Sequence, residues 1–192
     1  MFLRELNPVD SDFHFPDRLL AALLQEVVAI DPDLDFDLGF DRQPNRMTPQ
    51  QKAESLGIVF TKQPPAYLNL CIRSGNQLMT SGHVSDLKGK LGADLSTDVG
   101  YQAARNCAEK VLRSVWDTHG TLDGLKVIKV LGCVNSTLDY TEQHLVINGC
   151  SDLLHEIFGK DGDGWHARSA LGFAQLPTGA AVEVEAIFEI KS

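Results

Sequence analysis

A single arginine begins the most apolar stretch near the end of the chain. Arg168 lies in HARSALGFAQLPTGAAVEVEAIFEI (166–190), and the next charged residue after it is Glu183. A guanidinium is rarely placed in an apolar strand unless an anion meets it, and its parallel N–H donors match the two oxygens of a carboxylate. Arg168 is therefore a candidate carboxylate-binding residue. The alternative is a structural arginine that reaches water or pairs with an acidic side chain.

The strand that would carry this arginine gives it small neighbours. Successive side chains of a strand point to opposite faces, so Arg168, Ala170 and Gly172 are predicted to share one face. Small residues on that face would leave room for a ligand beside the guanidinium.

Other groups with possible chemistry lack the spacing that chemistry needs. The six histidines show no metal-binding pattern, and His83, His144 and His155 are expected at the surface. The alternating aspartates of 31–37 lack the glycine and glutamate of a calcium loop, which favours a solvated acidic linker. The four cysteines form no C-x-x-C pair and are expected to be buried free thiols. We therefore expect neither a metal nor a cofactor.

Local patterns predict the elements that would position the arginine. Apolar pairs recurring every four residues from Leu19 to Val28 predict a helix that ends at Asp31-Pro32. MTPQQKAESLG (47–57) has a capping box, with proline at the first helical position. Two apolar runs joined through Gly75-Asn76 predict a β-hairpin.

The rest of the chain alternates between helical and strand patterns. Residues 97–119 are predicted to form a helix that Thr97 caps and Gly120 ends. Its predicted inner stripe consists of Tyr101, Ala104, Ala108, Val111, Leu112 and Val115. LKVIKVLGCVNS predicts a strand, and TEQHLVINGCSDLLHEIFG a helix interrupted at Asn148-Gly149. Two strands are expected across LPTGA. The two long helices can cover only one face of a sheet, which predicts an α+β fold with a mixed sheet.

Composition limits the function classes. The chain has 192 residues, 43% of them hydrophobic and 22% charged, as is typical of a globular protein. Ten of its 26 acidic residues fall in 1–46, an acidic extension that we distinguish from a domain at 47–192. The net charge of −9 argues against a nucleic-acid partner. No apolar run approaches the ~18 residues of a membrane helix, and the start lacks a signal-peptide pattern. We expect a cytoplasmic protein without a membrane partner.

Five motifs resemble the Rid/YjgF family, also known as the endoribonuclease L-PSP or chorismate-mutase-like family. They are LMTSGHV (78–84), GKLGADLSTDVGYQAARNCAEKVL (89–112), VIKVLGCVNS (127–136), VINGCSDLL (146–154) and ARSALGFAQLPTGAAVEVEAI (167–187). The resemblance covers roughly residues 57–190, and Met47 resembles the usual start of the family. It implies a homotrimer of chorismate-mutase-like α+β subunits with a cleft at each subunit interface.

The resemblance also implies a reaction and its residues. It places on Arg168 the arginine that binds the carboxylate of a 2-imino or 2-enamino acid, while water converts the imine to a 2-keto acid and ammonia. Glu183 matches the glutamate that holds the water, and Tyr67 and Ser81 match residues lining the cleft. Ala170 lies where many members have cysteine, and this departure counts against a thiol-dependent role.

Three functions follow as alternatives. The first is an imine/enamine deaminase, a hydrolase acting on 2-imino acids. The second is a non-catalytic trimer that binds a small carboxylate for regulation. The third is an RNA-cleaving or translation-inhibiting protein, as older family names suggest, against which the acidic charge weighs.

Overall fold

The computed structural model describes residues 47–64 and 67–191. The helices of this range are α1 (Pro49–Ser55), α2 (Thr97–His119) and α3 (Gln143–Phe158). The strands are β1 (Cys71–Ser74), β2 (Gln77–Thr80), β3 (His83–Val84), β4 (Leu125–Asn135), β5 (Ala167–Phe173) and β6 (Val182–Ile190). None of these helices is long and apolar enough to span a membrane. The predicted helix and acidic linker before Met47 lie outside the described residues.

The strands form one mixed sheet in the order β1-β2-β6-β4-β5, with β3 beside β6. Strand β4 pairs in parallel with β5 and antiparallel with β6, and the remaining pairs are antiparallel. The predicted hairpin is confirmed, since Ser74 pairs with Gln77 and Gly75 takes the positive φ of the turn. The two strands across LPTGA are present, but they flank β4 instead of pairing with each other. The α+β class is confirmed.

The core lies between one face of this sheet and the long helices. Strand β4 buries alternate residues toward α2 and α3, because strand side chains alternate between faces. Helix α2 buries five residues of the predicted stripe: Ala104, Ala108, Val111, Leu112 and Val115. Tyr101, the sixth, is only partly buried and donates from its hydroxyl to Asp152 Oδ2 at 3.0 Å.

The helix ends are set by local capping. The capping box of α1 is confirmed, with Thr48 and Gln51 each satisfying the other's backbone N–H. The cap of α2 is Ser96, whose hydroxyl accepts from the Val99 N–H, and not Thr97 as predicted. Gly120 ends α2 in the left-handed conformation, as expected.

The predicted interruption of α3 at Asn148-Gly149 is wrong. Helix α3 is continuous from Gln143 to Phe158. A Cβ at position 149 would overlap the backbone carbonyl of Tyr101 in α2. Gly149 is therefore a point of close approach between two helices, which local sequence patterns do not distinguish from a break.

His83 is also placed differently from the prediction. Its side chain is buried, with Nδ1 2.8 Å from the Ser81 carbonyl oxygen and Nε2 2.7 Å from Ser114 Oγ. Burial lowers the pKa of His83 below its ordinary value. His144 is exposed as expected, and His155 is partly buried against Trp165.

The other face of the sheet carries uncovered apolar side chains within the described residues. Ile72 is 47% exposed, Leu171 48% and Phe173 41%. Strand register places them on the face opposite α2 and α3, together with Glu183 and Cys133. We call this surface the open face.

Candidate functional site

Arg168 extends from β5, at the edge of the sheet, toward helix α3. Its partner in β4 is Val130, which is fully buried in the core, so the arginine lies on the helix-covered face. Nη1 donates to Asn148 Oδ1 at 2.9 Å and to Ser151 Oγ at 3.1 Å. Nη2 donates to the His144 carbonyl oxygen at 3.2 Å. The guanidinium is half-buried and held in one orientation.

Helix α3 supplies all three acceptors from one side. Residues 144, 148 and 151 are four and three positions apart, the spacing that places them along one helix face. All three acceptors are neutral, and no acidic side chain of the described residues pairs with Arg168. The positive charge of Arg168 is therefore not neutralised within that part of the chain.

The hydrogen-bond count leaves donors free on the guanidinium. An arginine has five N–H groups, and three of them are used. Two remain, on Nε and Nη2, without an acceptor among residues 47–64 and 67–191. Two N–H groups are the number that a bidentate carboxylate contact requires.

Ala170 and Gly172 share the face of Arg168, as predicted from strand alternation. Ala170 packs against the core. A Cβ on Gly172 would lie 2.8 Å from Gln143 Nε2, at the start of α3. Because residues 170 and 172 are small, helix α3 packs closely against β5 at these positions. The helix therefore occupies part of the space that was expected beside the guanidinium.

Glu183 lies on the open face, in β6. Its partners across the strands are Val84 and Cys133. A Cβ at position 82 would overlap the Glu183 carboxylate, so glycine is required there if the carboxylate keeps its place. Partial burial raises the pKa of Glu183 above its ordinary value, and the neighbouring Glu185 carboxylate raises it further.

Cys133, the cross-strand partner of Glu183, has a thiol of low reactivity. Burial raises the pKa of its thiol to about 11, and Glu183 and Glu185 add to that shift. All four cysteines are free, and the other three are buried. A thiol that stays protonated at neutral pH is a poor nucleophile.

Ser81 and Tyr67 lie apart from the arginine. The Ser81 hydroxyl donates to the Asn69 carbonyl oxygen at 2.8 Å, and Ser81 directly precedes the glycine beneath Glu183. Tyr67 is fully exposed. The chain thus places Ser81 next to the glycine that contacts Glu183, and Arg168 on the same strand face as Ala170. Tyr67 is hydrogen-bonded to none of these residues in the part of the chain that the structure describes.

Local sequence patterns did not indicate the residues that hold Arg168 and Glu183 in place. Asn148 and Ser151 lie within a predicted helix, on one face of it. That this face contacts Arg168 can be inferred only when β5 is known to lie beside α3. Gly82 belongs to a quoted motif, yet its contact with Glu183 joins residues 101 positions apart in the chain. No local pattern signals such a contact.

The family follows from comparison with known proteins. The model of the family described as Endoribonuclease L-PSP matches residues 61–190, which is more than half of the chain. The chain belongs to this family. The resemblance to the Rid/YjgF family, also known as the endoribonuclease L-PSP family, is thereby confirmed.

Individual proteins are also similar to this chain. Protein TCP17 of Trypanosoma cruzi is 44% identical over 126 residues, which are 62% of this chain and 78% of that protein. The crystal structure of Atu1372 from Agrobacterium tumefaciens, a protein of unknown function, superposes with a TM-score of 0.67 at 37% identity and covers 76% of this chain and 94% of its own. A candidate endoribonuclease from Shewanella oneidensis has a TM-score of 0.68 at 28% identity and covers 74% and 99%.

Proposed function

We propose that this L-PSP family protein hydrolyses small 2-imino acids to 2-keto acids and ammonia. The observation that carries the proposal is the state of Arg168. Its guanidinium is fixed by three neutral acceptors, keeps an unpaired positive charge within the described residues, and has two N–H groups free for a carboxylate.

The chemistry asks little of the protein beyond positioning. The carbon of a protonated imine is already electrophilic, so water adds to it once the substrate is oriented. The new C–O bond forms as the water loses one proton to a base, and that proton then passes to the amine nitrogen. The C–N bond breaks to release ammonia as the remaining hydroxyl proton leaves to solvent, which gives the ketone. Arg168 would hold the carboxylate, and Glu183 would accept the proton from the attacking water.

A site that uses both residues needs two chains. Arg168 lies on the helix-covered face and Glu183 on the open face, so the sheet separates them within one subunit. We propose a homotrimer in which the open face of each chain meets the β5 edge of its neighbour, with Tyr67, Ser81 and Ala170 lining the clefts between subunits. The uncovered apolar residues of the open face support this assembly, because exposed apolar area of this kind marks interaction surfaces.

Ammonia release from freshly generated 2-iminobutyrate tests the proposal. The wild-type protein should accelerate formation of 2-oxobutyrate and ammonia above the rate in buffer, and Arg168→Ala should not. Equal rates with and without protein would contradict hydrolysis.

A second candidate is a regulatory trimer that binds a small carboxylate without turnover. Alanine at position 170, where many relatives have cysteine, favours it. Binding of 2-oxobutyrate that depends on Arg168, without ammonia release, would select this alternative. Cleavage of RNA by protein freed from other nucleases would instead select the activity that the family's name suggests.

A further inference from the structure

A chain of hydrogen bonds continues behind Arg168, away from its free donors. Ser151 Oγ, which accepts from Arg168 Nη1, also lies 3.0 Å from Nε2 of His166. The other ring nitrogen of His166, Nδ1, lies 2.6 Å from the carbonyl oxygen of Gly164. His166 directly precedes strand β5, and its ring and the guanidinium of Arg168, two positions later, both contact the Ser151 hydroxyl.

The donor and the acceptor in each of these hydrogen bonds follow from the chemical groups that form it. A carbonyl oxygen only accepts, so Nδ1 of His166 must carry the proton that Gly164 receives. A neutral imidazole has one N–H, which leaves Nε2 as an acceptor for the Ser151 hydroxyl proton. With its proton directed to Nε2, the Ser151 oxygen presents its lone pairs to Arg168.

We infer that His166 is a positioning residue that orients the Ser151 hydroxyl as an acceptor and so fixes the Arg168 guanidinium for carboxylate binding. The inference deepens the proposed function and rests on it for its consequence. The hydrogen-bond directions themselves rest only on the geometry of the four groups.

The surroundings of His166 favour the neutral ring that this arrangement needs. Protonation would put an N–H on Nε2 against Ser151 and a second positive charge near Arg168. Burial lowers the pKa of His166, and the neighbouring His155 and Arg168 charges lower it further, whereas the bond to Gly164 raises it. The His155 ring lies 5.3 Å from that of His166.

The first test measures the tautomer of His166 in the full-length protein. Long-range ¹H–¹⁵N correlation spectra at neutral pH should show a neutral ring protonated on Nδ1. A ring protonated on Nε2, or on both nitrogens, would overturn the inference, whatever the enzymatic activity is.

The second test is a double-mutant cycle read as the affinity for 2-oxobutyrate by calorimetry. His166→Phe keeps a ring but removes the acceptor, and should weaken binding about three- to tenfold, the value of one neutral hydrogen bond. Ser151→Ala should weaken it by a similar factor. In the Ser151→Ala background, His166→Phe should add less than about twofold, because it acts through the serine.

We call the chain of hydrogen bonds from Arg168 through Ser151 to His166 the relay. Two further variants separate the effect of the relay from the effect of ring packing. His166→Gln supplies an amide oxygen near the position of Nε2 and should restore affinity to within about twofold. His155→Phe changes a ring that packs on His166 without a place in the relay, and should leave affinity unchanged. Additive effects in the cycle, or wild-type affinity in His166→Phe while Arg168→Ala abolishes binding, would overturn the inference and leave the proposed function standing. A wild-type protein that neither binds 2-oxobutyrate nor releases ammonia would refute the proposed function, and the tautomer would still decide the relay.

Discussion

Arg168 and Glu183 extend from opposite faces of one sheet, and strand β4 separates the strands that carry them. A single chain with this geometry cannot bring both side chains to one substrate. If both act on the same molecule, they come from different chains, and the open face that carries Glu183 in one chain must meet the β5 edge that carries Arg168 in another.

Assembly is therefore the first prediction. Light scattering at micromolar concentration should give the mass of three chains. Leu171→Glu should reduce it to one chain, because it places a charge on the open face, where Leu171 is 48% exposed. Leu138 is fully exposed but outside the sheet, so Leu138→Glu is the matched control and should stay trimeric. A single-chain mass for the wild-type protein would refute the two-chain site.

The second prediction concerns the arginine itself. Arg168→Ala should lower the rate of imine hydrolysis by about two to four powers of ten, as expected for a lost charge-assisted bidentate contact worth ~3–5 kcal/mol. Arg168→Lys should also lower the rate, because the lysine ammonium is a point charge and cannot form the two parallel hydrogen bonds of the planar guanidinium. The melting temperature should change little in either variant, since the arginine is half-buried and its partners among the described residues are neutral.

An arginine with a different partner is the control for these variants. Arg105 of α2 pairs with Glu156 at 3.2 Å. Arg105→Ala should leave turnover unchanged. Full activity in Arg168→Ala, together with a large loss of thermal stability, would mean that Arg168 serves only the fold.

Local patterns predicted the elements, and contacts between distant segments explain what they missed. The periodicity of α2 and the turn at Gly75-Asn76 are contained within a few residues, so both were correctly predicted. The role of Gly149 depends on a second helix, and the burial of His83 depends on Ser114, 31 positions away. Neither contact can be inferred from the few residues that precede and follow Gly149 or His83 in the sequence.

Sheet order explains why the candidate site was predicted only as separate residues. The sequence places β5 directly before β6, which suggests a pair, but β4 inserts between them. Alternation within β5 correctly placed Arg168 and Ala170 on one face. The position of Glu183 on the other face follows only from the pairing of Cys133 with Glu183 and with Leu171.

The third prediction is a pH dependence set by Glu183. Its pKa in the folded protein is above the ordinary 4.5, so the carboxylate that would accept a proton is lost as the pH falls through that raised value. The rate of hydrolysis should show an acid limb there. Glu185→Gln removes a charge that raises this pKa and should move the limb to lower pH. An unmoved limb would assign it to another group.

The raised pKa of Glu183 also affects stability. The ionised carboxylate, which hydrolysis needs, makes the folded protein less stable. Because the folded state binds the Glu183 proton more tightly than the unfolded state, the ionised carboxylate lowers stability above the raised pKa. Glu183→Gln should therefore raise the melting temperature slightly at neutral pH, by up to about 2 °C since partial exposure screens the effect. The gain should vanish at low pH, and hydrolysis should be lost. A lower melting temperature at neutral pH would contradict the assigned pKa shift.

The fourth prediction uses Gly82. Its φ is not positive, so alanine fits the backbone, and the obstacle to a Cβ is the end of the Glu183 side chain. Gly82→Ala should displace that carboxylate and reduce hydrolysis about tenfold or more while the fold and assembly are kept, as misplacement of a reacting group predicts. Gly75→Ala is the control, because a Cβ there meets nothing within 4 Å and only the turn is strained. Unchanged turnover in Gly82→Ala would exclude Glu183 from the reaction.

The last prediction concerns the boundary at Met47. A chain beginning there keeps the capping box of α1 and the bonds that tie α1 to the rest of the domain: the Gln50 N–H donates to Asp123 Oδ1 at 2.9 Å, and Gln50 Oε1 accepts from the Leu122 N–H at 3.1 Å. It should fold, assemble and hydrolyse the imine as the full chain does. A chain beginning at Ile58 loses α1 and the burial of Ala53, and should melt at a lower temperature. If the chain from Met47 is insoluble or monomeric, residues 1–46 complete the domain, and the division of the chain at this point is wrong.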